Sequence, residues 1–319
     1  MLFCSVFDNY PDVTRVFTYN KTTTKVYLEV FMRKFAIITD SGCDLTQHMV
    51  EELDINVAPM CLNLHNKSYR HFSDFRELSK EDFYTMIRKG ESGQTAGVNP
   101  GDVEELFRSK LEQNMDVLYL SFSSGMSGSF NSACIAMREV TADYPEARVA
   151  VVDTLCGSVG LGLITYLAVK KQCSGASFDE TLEYVNQIKN NICHYFMVDD
   201  LQFISKTGRI SHLKATVGTM LGVKPVFKLN DEGRVTDDIK VRGKKAGIQH
   251  MLKRVQEKCS DKSTFFVCHA DVENEANIIK DKLLEMFPQA QVFVNCLGPI
   301  LGNNTGPGTL GIIFYGNER

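Results

Sequence analysis

No two of the ten cysteines stand in Cys-x-x-Cys spacing, and the ten are scattered from Cys4 to Cys296. Structural zinc takes its ligands in close pairs that a short turn presents together, so this spacing excludes it. The adjacent pairs Cys193-His194 and Cys268-His269 would point to opposite faces of a strand. The scatter also argues against a disulfide framework; free, mostly buried thiols in a reducing compartment are the expectation. Charge of one sign is missing too. A net charge of -4 over 319 residues offers no basic footprint for nucleic acid. No run approaches the roughly 20 apolar residues that span a bilayer. The start, MLFCSVFDNYPDVTRV, has neither the basic opening nor the apolar stretch of a secretory signal. A soluble, cytoplasmic protein is therefore expected.

What is present reads as α/β. At 319 residues, 44% hydrophobic and 23% charged, the chain is globular in composition and long enough for two domains. Residues 1–33 read as an N-terminal extension, Thr- and Tyr-rich with a strand candidate at 25–31, of the kind an upstream start codon would add. From Phe35 onward, short apolar runs alternate with amphipathic stretches. Strands are expected at 35–40, 55–64, 116–121 and 148–153. Helices are expected at 45–53 with Asp44 as N-cap, at 80–88 after Ser79, at 102–113 and at 129–144. That rhythm predicts a doubly wound parallel sheet for residues 34–155. Residues 156–319 open with helices at 157–171 and 178–190. They continue with strands at 194–198, 225–229, 264–269, 291–295 and 310–315, and with helices at 243–258 and 273–286, an α+β second domain.

In open α/β sheets ligands collect beyond the carboxyl ends of the strands. Three expected loops at such places are rich in hydroxyls and glycine: 39–42, 94–97 and 121–129. In the last, glycines would let the backbone approach a ligand while the following helix N-terminus faces it, an arrangement that attracts carboxylate or phosphate. Nucleophilic catalysis is less well served. Ser127 lacks the Gly-x-Ser-x-Gly elbow, because Ser129 follows Gly128. The histidines cannot be ranked as bases, and Asp40 and Asp44 read as capping and turning residues more readily than as a carboxylate pair. Two dense segments remain, 203–211 with two cations, and 301–311 with a Gly306-Pro307-Gly308 turn suited to a close backbone approach. On these residues alone two functions stay open, a binder of an anionic head group and an enzyme acting on a phosphorylated metabolite.

Six motifs in order, at 35–44, 123–133, 152–154, 203–211, 221–226 and 305–308, resemble the DegV family, whose members bind long-chain fatty acids and in some cases serve as the acyl-carrying subunit of bacterial fatty acid kinase. The likeness runs from about Phe35 to about Tyr315. It implies a carrier with no catalytic residue, metal or cofactor of its own, its ligand head in the cleft between domains and its tail in the second. Any phosphorylation would come from a separate kinase supplying ATP and metal. Carried over by position, Thr95 and Ser127 hold the carboxylate, with Ser124 and Gly128 beside them. Arg209 and Arg242 match the family's nearby cations. Asn304 stands where relatives often have histidine before Thr-Gly-Pro-Gly; an amide donates hydrogen bonds but does not titrate. Leu161, Leu163, Ile164 and Leu167 are candidates for the tail lining.

Overall fold

The computed structural model describes residues 34–210 and 223–319; the extension, its strand candidate at 25–31 and residues 211–222 lie outside the described part. Phe35–Asp40 (β1) and Asp116–Ser121 (β6) are buried at every position. Such runs suit the middle of a parallel sheet covered on both faces. They sit between Asn56–Ala58 (β2) and Val149–Asp153 (β7) in the order β2-β1-β6-β7, every pairing parallel. Met60–Leu64 (β3), Lys67–His71 (β4) and Gln94–Ala96 (β5) form a separate antiparallel sheet, β4-β3-β5.

The helices of this half begin where local chemistry favours them. In Gln47–Glu52 (α1) the cap is Thr46, whose hydroxyl accepts from Met49 N–H. Asp44, the expected cap, instead adopts a left-handed turn (φ 49°) and is buried. In Lys80–Arg88 (α2) the Ser79 hydroxyl accepts from Asp82 N–H, as expected. Pro100–Leu111 (α3) and Ser129–Asp143 (α4) pack on each other and on the parallel sheet.

The second sheet runs β10-β9-β8-β13-β11-β12. Its strands are Ile192–Met197 (β8), Val223–Leu229 (β9), Val235–Arg242 (β10), Thr264–His269 (β11), Gln291–Cys296 (β12) and Leu310–Tyr315 (β13). Only β11 and β12 pair in parallel; the remainder is antiparallel. Val159–Cys173 (α5) packs against strands of both large sheets and is buried almost all round, from Val159 to Val169. A helix without a polar face is a core helix. Two glycines let it in: a Cβ at Gly160 would lie 1.8 Å from His194 Nε2, and one at Gly162 would lie 2.9 Å from the Cys43 carbonyl. Phe178–Ile188 (α6) lies beside α5, opened by a Ser177/Glu180 capping box. Leu201–Lys206 (α7), Lys244–Lys258 (α8), Glu273–Met286 (α9) and Pro299–Thr305 (α10) complete the described elements. Of these, α7, α10 and β10 were not expected from the sequence. No helix among the described residues is long and apolar enough to cross a membrane.

Candidate ligand-binding site

A cavity lined by residues of both halves opens between them. Its polar lining gathers at Thr95, Ser127, Arg209 and Asn304, with Gly97 and Gly128 between them. Elsewhere the wall is mostly apolar, interrupted by Ser158, His194, Thr207, Thr305 and Thr309. Phe196, Leu229, Val235 and Ile313 come from the second sheet, Ile204 from α7, Leu297, Ile300 and Leu301 from around α10, and Met60, Phe122 and Met126 from the first half.

The loop from Phe122 to Gly128 is pinned at each step. Phe122 N–H donates to Asp40 Oδ2 at 2.8 Å, Ser123 N–H to the Cys156 carbonyl at 2.8 Å, and Ser127 N–H to the Ser123 carbonyl at 3.0 Å. Ser123 also donates its hydroxyl to the Gly233 carbonyl at 2.8 Å, tying the loop to the β9–β10 turn. Gly125 makes the close approach a glycine permits, but to that turn rather than to the cavity: a Cβ there would meet the Glu232 carbonyl at 2.6 Å. Gly128, with nothing within 4 Å of its missing Cβ, is the glycine that faces open space. It occupies the N-cap of α4 and brings no side-chain acceptor. Apart from Ser129 N–H, which Ser127 Oγ accepts, the positive end of this 15-residue helix has no side-chain cap.

Ser127 Oγ lies 2.9 Å from Ser129 Oγ and accepts from Ser129 N–H at 3.2 Å. Ser129 is fully buried, and its own oxygen accepts from Val98 N–H at 3.3 Å. Across the mouth, Thr95 stands on β5, an edge strand of the small antiparallel sheet, not on a loop after a parallel strand. Asn303 fixes that strand against α10 by taking Gly93 N–H on Oδ1 (2.8 Å) and giving Nδ2 to the Gly93 carbonyl (3.0 Å). The next residue, Asn304, donates from Nδ2 to the Ile300 carbonyl at 2.8 Å and to Thr95 Oγ1 at 3.3 Å. Arg209 is exposed at the rim, its Nε donating to the Met126 carbonyl at 3.2 Å.

The structure therefore brings Thr95, Ser127, Gly128, Arg209 and Asn304 to one cavity. It does not bring Ser124 or Arg242. Ser124 is exposed, with its N–H on Asp153 Oδ1. Arg242 is exposed at the far end of β10, seven residues beyond the cavity-lining Val235 and so roughly 23 Å along the strand. Leu161, Leu163, Ile164 and Leu167 belong to the core around α5 and do not line the cavity. The Gly306-Pro307-Gly308 turn makes its close approaches to Phe203 and Asp199, not to the cavity.

Sequence reasoning left out the wall and His194. That ring is buried against the cavity, its Nδ1 3.0 Å from the Ile192 carbonyl. Burial, with the Arg319 guanidinium nearby, pushes its pKa down to about 3, so it is neutral at pH 7. Asp40 and Asp44 do not line this cavity; their carboxylates accept from backbone N–H groups and, for Asp44, from the Ser158 hydroxyl. Burial raises both to about 7 against two opposing hydrogen bonds each, for Asp44 from Gly298 N–H and the Ser158 hydroxyl. A period-2 reading of β8 (His194, Phe196) and a helical reading of α10 (Ile300, Asn304) would have found this lining.

Comparison with known proteins gives a consistent neighbourhood. A family model described as an uncharacterised protein of the DegV family matches residues 34–317. A DegV domain-containing protein of Clostridium perfringens is 34% identical over 290 residues, 90% of this chain and 99% of the relative. Among solved structures, a fatty-acid-binding DegV family protein of Thermus thermophilus superposes with a TM-score of 0.79 at 30% identity, covering 89% of this chain and 99% of its own. DegV of Bacillus subtilis, described as a fatty acid binding protein, gives 0.77 at 26% identity over 88% and 98%.

Proposed function

The chain belongs to the DegV family, and from that premise we propose that it binds a long-chain fatty acid, carboxylate on Thr95 and Ser127 and acyl chain along the apolar wall, as a carrier that presents the head group to a separate kinase. One observation carries this reading: Thr95, Ser127, Asn304 and Arg209 line the same cavity, and most of its remaining wall is aliphatic or aromatic, with Ser158, His194 and three further threonines among it. A tail of about 16 carbons, at roughly 0.8 kcal/mol per buried methylene, gains on the order of 10 kcal/mol before ordering costs. The tail thus supplies affinity, and the head needs only enough partners to keep a charge from being buried unpaired. Gly128 and Arg209 are exposed, which leaves the head-group end within reach of a second protein.

The test is organic extraction of the purified protein with mass spectrometry, followed by uptake of labelled palmitate. Long-chain acid in the extract and saturable uptake are expected, with uptake weakened about a hundredfold in the Thr95→Ala, Ser127→Ala double variant while the thermal transition is kept. Empty protein that takes up no palmitate, or turnover of a phosphorylated metabolite without lipid, would sink the proposal. For the kinase step, acyl phosphate should form only when a fatty acid kinase catalytic subunit and ATP are both added.

A further inference from the structure

We infer that a second, smaller pocket, built from Thr46, His71, Ser73 and Lys80 over Asp44, binds a small oxyanion, inorganic phosphate or a short carboxylate. The pocket lies where the turn after β1, the loop after β4, the start of α2 and the β12–α10 connection meet. It shares no lining residue with the large cavity, so the inference stands apart from the fatty-acid reading.

His71 is the observation that points to a ligand. Its side chain lines the pocket at only 4% exposure, and it has no hydrogen-bond partner among the described residues. Burial pushes its pKa down to about 4, so at pH 7 the neutral ring keeps one N–H to give and one nitrogen to accept. Buried polar groups of this kind are satisfied by the protein or by something bound to it. Gly298 keeps the place open: a Cβ there would stand 2.2 Å from His71 Nε2 and 3.1 Å from Asp44 Oδ1. Phe75, against the His71 ring with centroids 5.3 Å apart, holds a left-handed backbone (φ 56°) that a bulky residue adopts only at a cost.

The neighbouring side chains supply donors and a positive charge. Lys80 is half-buried, and the only carboxylate within reach of its ammonium among the described residues is Glu81, at 4.0 Å, too far for a hydrogen bond. Ser73 donates to no group among the described residues, and Thr46 Oγ1 accepts from Met49 N–H while its own hydrogen has no acceptor there. Nearby acids are engaged elsewhere, Asp74 with Arg76 at 2.9 Å and Asp271 with Arg88 at 2.8 Å. Asp44 forms the floor, its oxygens taking Gly298 N–H at 2.8 Å and the Ser158 hydroxyl at 2.7 Å. Burial raises it to about 7, so it is only partly ionised at neutral pH and keeps its proton when an anion enters. A metal ion is less well served, since no three His, Cys, Asp or Glu side chains converge among the described residues. An ammonium, two hydroxyls and an imidazole N–H around so small a space match a compact oxyanion.

The test adds inorganic phosphate, and acetate in a second arm, to the full chain at constant ionic strength. Histidine ring spectra should show the His71 resonances, assigned by their loss in His71→Gln, shifting saturably with at least one of the two anions. Comparing the two arms tells phosphate from carboxylate. Lys80→Gln should weaken the midpoint about tenfold and Ser73→Ala severalfold, with palmitate uptake unchanged in both. Lys80 is half-exposed, so its variant decides even where His71→Gln disturbs packing. No saturable shift with either anion, a shift that chloride reproduces, or a midpoint indifferent to Lys80→Gln overturns the inference. Palmitate uptake, measured separately, leaves the fatty-acid reading to its own test.

Discussion

The two large sheets handle the same cavity in different ways. In the parallel sheet, β1 and β6 are buried on both faces, so a ligand can meet that sheet only beyond its strand ends, where the loop through Ser127 turns into α4; Thr95 reaches the cavity from the separate edge strand β5. In the mixed sheet, strand faces themselves form the wall. Ile313 pairs with His194 and Val235 with Leu229, and all four line the cavity. Loops beyond a parallel sheet present backbone amides and short hydroxyl side chains with little apolar area. An antiparallel face presents alternate side chains as a continuous surface. On the proposed reading, Ser127 at the head-group end and the wall along the tail come from different kinds of architecture.

The contrast is broken most directly at the helix between the sheets. Gly160→Ala places a methyl 1.8 Å from His194 Nε2, and since backbone and a buried ring cannot both yield, stability should fall by about 3 kcal/mol in urea titration. A loss below about 1 kcal/mol would mean that α5 is not wedged as described. The next pair sharpens the division between core and wall. Leu163→Ala, in the core, should cost about 3 kcal/mol of stability and leave palmitate affinity unchanged, whereas Leu229→Ala should weaken affinity severalfold by removing methyls the tail would touch. Equal effects of the two on binding would erase the distinction.

The last comparison is electrostatic and depends on pH. Asp44 titrates at about 7 in the fold against an ordinary 3.8, so the folded protein binds its proton more tightly than the unfolded chain. Its contribution is intact below about pH 4 and is lost as pH rises toward 7. The comparison that isolates it is Asp44→Asn, where the side-chain oxygen still takes Gly298 N–H and the amide can donate to the Ser158 hydroxyl. Wild-type stability relative to that variant should decline between about pH 4 and 7 by at most about 1.4 kcal/mol per unit, read from paired denaturation curves. A flat difference would place the carboxyl at its ordinary value.

Where local signals agreed with the fold, the sequence was enough. Ser79 caps α2 where it was expected to, and α9 spans the expected 273–286 because its apolar spacing and flanking polar residues coincide. The misses have physical causes. In β10, VTDDIKVR is an edge strand with few apolar residues, and a bulge between Asp237 and Ile239 breaks its alternation. In α10, PILGNNT reads as a turn, and it is helical because tertiary packing overrides that bias: Gly302 lies so close to Phe83 that a Cβ would stand 2.7 Å from the ring. At the site, Thr95, Ser127 and Asn304 were legible through the family motifs. The wall was not, since which face of a strand turns inward depends on a register that only the assembled sheet defines. Apolar content alone pointed to α5, whose leucines fill the core.

The bond from Ser123 to the Gly233 carbonyl has one more implication. The β9–β10 hairpin that carries Leu229 and Val235 is held at its turn by the loop of the other half and along its length by β8. A segment fastened at both places cannot be lengthened to make room. On the proposed reading, adapting this scaffold to longer or shorter cargo is therefore a matter of exchanging side-chain volume at those two positions, a substitution problem rather than an insertion problem.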